Sequence, residues 1–124
     1  PNITCPTLVL AGKQDIVTIF VTSGVAKGVK PFWAGYAVSK AALECMVTTY
    51  AAELGKTNVK ANIIDPLTVR TGMRASAMPG EDPQTLPEPS AITEKFVELA
   101  EPGCSANGER FVAKVDAVTR DDKP

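Results

Sequence analysis

The chain has 124 residues, enough for one small domain with a core of its own. Its formal net charge of -1 gives no electrostatic basis for binding nucleic acid or an anionic membrane, and no apolar run approaches the roughly twenty residues of a membrane span. It contains no histidine, which removes Ser-His-Asp and Cys-His hydrolase sites and most transition-metal sites, and its three cysteines, at positions 5, 45 and 104, match neither a zinc pattern nor a disulfide framework. Reduced thiols and no secretory signal make a cytoplasmic setting the expectation.

Pro6 to Gly12 reads as a buried strand ended by glycine. It resembles the α/β-hydrolase strand that presents a triad acid, with Asp15 in the acid's place. Without histidine that resemblance carries no chemistry, and Asp15 reads as a turn residue. Residues 13–17 alone join this strand to the next, whereas parallel neighbours need a crossover of about a dozen. The two strands therefore pair as an antiparallel hairpin or do not neighbour each other. Thr18 to Gly24 reads as a short β-branched strand ending in small residues. Gly24-Val-Ala-Lys-Gly28-Val-Lys30 starts like a phosphate-binding turn, but Lys30 stands at the third glycine position and Pro31 precedes any helix, so it reads as a decoy. Phe32 and Trp33 follow, as the wall of a pocket or the plug of a shortened core.

A helix is predicted from Tyr36 to Leu54, with Leu43, Val47, Tyr50 and Leu54 as its apolar stripe and Cys45 as a small apolar residue within it. Tyr36 and Lys40 lie one turn apart on the same face. An ammonium there favours the phenolate, so the phenol can exchange a proton with a carbonyl or alcohol oxygen near neutral pH. Ser23, thirteen residues before Tyr36, could hold that same oxygen from the neighbouring strand. Val59 to Asp65 reads as a second buried strand, followed by Pro66-Leu67-Thr68-Val69-Arg70-Thr71. Thr71 to Glu88 is rich in Pro, Gly and Met, and disorder is expected there; Arg70 and Arg74 could meet an anionic substrate or a cofactor phosphate, but a solvated role is the expectation. Ser90 reads as the N-cap of a further helix with Ile92, Phe96 and Leu99 facing the core. Gly108 to Val112 reads as a final strand, and Asp116 to Pro124 as a loose charged tail.

From about residue 18 to 113 this order resembles the second half of the short-chain dehydrogenase/reductase family. The family's active-site Ser, Tyr and Lys match Ser23, Tyr36 and Lys40. Its Pro-Gly-x-x-x-Thr stretch is matched by Pro66 to Thr71, with Leu67 in the glycine's place. The resemblance implies an α/β fold: a truncated Rossmann-like sheet of 3–4 strands, in two or three layers, with one long and one shorter helix. It implies Tyr36 as acid/base, Ser23 as the oxygen-binding group and Lys40 as tuner of Tyr36 and anchor of the nicotinamide ribose. Pro66, Val69 and Thr71 would hold the nicotinamide amide of NAD or NADP. The substrate would be a small carbonyl or alcohol, and Thr71 to Glu88 a lid over it. The Leu8-Val-Leu-Ala-Gly12 run could stand where the family has its fourth strand, with Leu10 in place of that strand's usual Asn, although it looks more like the hydrolase strand. The family's Gly-rich turn and its active-site Asn have no counterpart here, so this chain alone is expected to bind cofactor weakly or not at all.

Residues 1–124 are thus expected to form one incomplete α/β domain: a strand segment over 1–17, the family-like body over 18–113 and a tail over 114–124. Two functions compete. One is NAD(P)-dependent hydride transfer. The other is a non-catalytic truncated or rearranged module acting, if at all, by self-association. In the family the long helix contributes to a dimeric bundle, so a homodimer through Tyr36 to Leu54 is expected in either case. No nucleic-acid or membrane partner is expected.

Overall fold

The computed structural model describes residues 7–11, 16–113 and 115. Four strands form one sheet in the order β1-β2-β3-β4: Thr7–Ala11, Ile16–Val21, Val59–Asp65 and Arg110–Val112. β1 pairs antiparallel with β2, Thr7 opposite Phe20 and Ala11 opposite Ile16. This is the hairpin, one of the two arrangements that the short connection allows. β2, β3 and β4 are mutually parallel. Asp15, Cys5 and the tail from Asp116 onward lie outside the described residues.

β3 spans the predicted residues, and its alternation explains the layers. Ala61 and Ile63 face helix α1 (Ala34–Glu53) and pack with Val47 and Ala51, with Phe20, Leu43 and Leu54 around them. Ile64 faces the other way and joins Val17, Ile19, Ile92 and Leu99, the last on helix α3 (Thr93–Ala100). The architecture is therefore three-layered, with one long and one shorter helix on opposite faces of the sheet, and a six-residue helix α2 (Gly72–Ala77) in the loop after β3. The crossovers β2-α1-β3 and β3-α3-β4 advance in the same direction on opposite faces. They are therefore of opposite hand, and one of them is the uncommon left-handed kind.

The second helix departs from its predicted start. Pro89–Ile92 forms a 3₁₀ turn and α3 begins at Thr93, so the Ser90 side chain is not its cap; the Ser90 carbonyl instead accepts from the Thr93 hydroxyl at 2.9 Å. On α1 the stripe is carried by Val47, whereas Tyr50 and Cys45 are exposed.

Two asparagines sew the strap before β4 onto the rest. Buried Asn62 donates to the Ala106 carbonyl at 2.9 Å and accepts from the Glu109 N–H at 3.2 Å. Asn107 accepts from the Ala61 N–H at 3.0 Å and donates to the Ala51 carbonyl at 2.8 Å. Gly108 has φ +74, and an added Cβ would lie 3.1 Å from the Ala51 Cβ, so both conformation and space call for glycine. Replacing Asn107 by Ala leaves an N–H of β3 and a carbonyl of α1 without partners. The expected loss is about 2 kcal/mol, read as a lower urea midpoint with an unchanged slope.

Candidate active site

The site is built where the carboxyl ends of β2 and β3 meet the first turns of α1. Ser23 follows β2 in extended backbone and leads into a 3₁₀ turn, Gly24–Ala26, which packs on α1. The Lys40 side chain is buried, and its Nζ donates to the Val21 carbonyl at 3.0 Å, two residues before Ser23. The same ammonium stands 5.7 Å from the centre of the Tyr36 ring. Lys40, one turn from Tyr36 on α1, thus ties this helix to the strand that leads to Ser23. Trp33 meets the Tyr36 ring edge-on, centroids 5.8 Å apart at 70°, and Lys30 Nζ lies 3.9 Å from the Trp33 ring centre. Phe32 is fully exposed at φ +69, so of the two aromatics only Trp33 adjoins Tyr36.

Beneath these residues runs a network that pattern reasoning misses. Thr22, next to Ser23, donates to Glu44 Oε1 at 2.7 Å. Glu44 also accepts from Arg110 Nε at 3.0 Å, and Arg110 Nη2 donates to Asp65 Oδ2 at 2.8 Å. Burial works to lower the Arg110 pKa, but hydrogen bonds to Glu44 and Asp65 outweigh it and leave it raised. Asp65 Oδ1 in turn accepts from the Leu67 N–H at 2.9 Å. The sequence does hold one trace of this network: Glu44 lies one turn beyond Lys40 on the Tyr36 face.

The loop after β3 carries the remaining candidates. Pro66 is half-buried at the strand end, and Val69 packs against the core on the α3 side. Thr71 Oγ1 accepts from the Arg74 N–H at 3.1 Å and so caps α2. Leu67, in the glycine's place, adopts φ +58, a left-handed conformation that glycine takes without steric cost. The disorder expected from Thr71 to Glu88 is replaced by ordered structure. Arg74 donates through Nε and Nη2 to both Glu81 oxygens at 2.6 and 2.8 Å, Asp82 caps the turn Pro83–Thr85, and the Arg70 N–H donates to the Pro87 carbonyl at 2.8 Å. These local bonds hold the segment together. In the Gly24 turn the N–H groups of Lys27 and Gly28 are both donated to the Gly24 carbonyl at 3.1 Å.

Parallel strands with a helix on each face, and polar side chains gathered at the strands' carboxyl ends, define a Rossmann-like α/β module. The family model described as enoyl-(acyl carrier protein) reductase matches residues 6–101, which takes in β1 as well. The chain belongs to the short-chain dehydrogenase/reductase family. It is 40% identical over 81 residues to the uncharacterized oxidoreductase YciK of Escherichia coli, covering 65% of this chain and 32% of that protein. A short-chain dehydrogenase from Pseudomonas syringae superposes with a TM-score of 0.78 at 38% identity, over 82% of this chain and 42% of that one. One from Shigella flexneri, solved in complex with NADP, superposes with a TM-score of 0.73 at 36% identity, over 77% of this chain and 40% of that one. The chain spans about a third to two-fifths of the length of these relatives. Among the described residues no helix is long and apolar enough to cross a membrane, and no cluster of His, Cys, Asp and Glu could hold a metal ion.

Two measurements check this geometry. Leu67→Gly removes left-handed strain from an exposed side chain and is expected to gain about 0.5–1 kcal/mol net of the added unfolded-state freedom, raising the melting midpoint by a few degrees. Hydrogen bonds from Arg74 hold the Glu81 carboxyl below its ordinary 4.5. The pair therefore contributes fully above that value and is lost as pH falls through the lower folded pKa. Hydrogen-exchange protection of the Ala75 and Met78 amides should fall with pH below 4.5, and Glu81→Gln should abolish that dependence.

Proposed function

We propose that this chain carries the substrate and nicotinamide side of an NAD(P)-dependent oxidoreductase acting on a carbonyl or alcohol. The observation that carries the reading is Lys40, a buried ammonium tied to the β2 end and held beside the Tyr36 ring. Tyr36 gives a proton to the substrate oxygen or takes one from it, Ser23 hydrogen-bonds that oxygen, and Lys40 places its charge beside the phenol. The cofactor, when bound, supplies or accepts the hydride.

The residues suit the nicotinamide end of such a cofactor. Lys40 would hold the ribose hydroxyls, and Pro66, Val69 and Thr71 would line the amide. They do not suit the adenosine end, because the Gly24 turn uses its own N–H groups internally and no other described segment offers a Gly-rich cradle. Binding is therefore expected to be weak in the isolated chain.

A second reading, self-association of a non-catalytic module, is favoured by one observation. α1 exposes Val38, Met46 and Tyr50 along with Ala41, Ala42 and Cys45, a largely apolar face. Titration with NADH and NADPH separates the two readings, followed by quenching of Trp33, the chain's single tryptophan. Saturable quenching that weakens a few-fold in Tyr36→Phe and about tenfold or more in Lys40→Ala supports hydride-transfer ancestry still in use. A flat titration together with a dimer that dissociates on dilution supports the second reading and overturns the first.

A further inference from the structure

Arg70 and Arg74 lie four residues apart on the segment that leaves β3. Arg74 shows a filled guanidinium fork, with Nε and Nη2 both on Glu81. Arg70 presents the same two nitrogens to nothing equivalent. Its Nη2 is 3.5 Å from the exposed Glu88 carboxylate and its Nη1 is 3.5 Å from Gln84 Oε1, both at the limit of a hydrogen bond. Its Nε is buried with no acceptor at all, alone in this among the buried side-chain polar atoms of the described residues. A buried charged donor left unmatched is costly and calls for a physical reason.

Loose backbone does not supply that reason. The Arg70 N–H is fixed on the Pro87 carbonyl, Val69 before it is packed in the core, and Thr71 after it caps α2. A rigid loop thus holds a fork whose natural complement, two oxygens on one centre, is missing. Gln84 and Glu88 touch only its tips. Because β2 and β3 run parallel, this loop leaves the same end of the sheet as Ser23.

We infer that Arg70 binds a phosphate oxyanion, which enters the Nε/Nη2 fork and displaces Glu88 from Nη2. The phosphate of a nicotinamide nucleotide is the source assigned. That assignment rests on the function proposed above, whereas the oxyanion fork does not. Fork-to-oxyanion pairing is bidentate and charge-assisted, so lysine replaces it only in part.

Calorimetric titration of the whole chain with nicotinamide mononucleotide, nicotinamide riboside and inorganic pyrophosphate tests this. The mononucleotide is expected to bind about tenfold or more tightly than the riboside. The preference should vanish in Arg70→Gln, survive in part in Arg70→Lys and grow a few-fold in Glu88→Gln, which removes the competing carboxylate. Exchange protection of residues 84–88 should fall as ligand is added. Pyrophosphate binding that needs Arg70, with neither nicotinamide compound binding, supports the fork and overturns the nicotinamide assignment. Equal affinities for mononucleotide and riboside, an undiminished preference in Arg70→Gln, or no binding of either phosphate compound overturns the inference itself.

Discussion

The guanidinium of Arg110 holds the carboxyl end of the sheet in place. It reaches from the last described strand to Asp65 at the end of β3 and to Glu44 in the middle of α1, and Glu44 passes the connection on to Thr22 beside Ser23. Each of these groups is largely withdrawn from water. Separating them would leave a charge or a hydroxyl without a partner at a depth where that is expensive. A hydrophobic cluster of equal volume could match the network in stability, but it would not dictate angles. Directional bonds to a planar fork fix how the strand ends, the helix and the loop after β3 sit relative to one another. The positions of Tyr36, Lys40 and Ser23 follow from that arrangement.

What the sequence discloses is what local chemistry decides. β3 was legible because a run of branched apolar residues sits between an Asn-containing turn and a proline. The hairpin was half legible: the short connection excluded a parallel pairing of β1 with β2 and left an antiparallel hairpin or separated strands, and the structure shows the hairpin. The Tyr36–Lys40 relation follows from helical spacing alone. What escaped depends on partners distant in sequence. Arg110 and Glu44 are 66 positions apart, and neither residue type announces a partner. The order of residues 71–88 escaped for a related reason. Composition suggested a chain too polar and too broken to settle, but one bidentate pair and two caps satisfy enough of its groups to hold it. The start of α3 was misplaced because Pro89-Ser90 suits a 3₁₀ turn as well as a cap. Tyr50, assigned by periodicity to the core or an interface, faces outward because the buried arc of α1 is narrow: only Lys40, Val47 and Ala51 are buried.

The site is lopsided. Everything that would touch a carbonyl oxygen or a nicotinamide ring clusters at two strand ends, whereas nothing described resembles a seat for an adenosine diphosphate. Leu67 belongs to the same picture. Its left-handed conformation is one that glycine takes freely and leucine holds only at some cost in strain.

The reversed direction of β1 has a consequence for the rim of the site. A parallel strand beside β2 would start at the far end of the sheet. β1 instead starts with Thr7 across from Phe20, three residues before Ser23. The first described residue of β1 therefore lies at the same end of the sheet as the candidate residues, so a label placed at Thr7 would report on that rim and not on the opposite one.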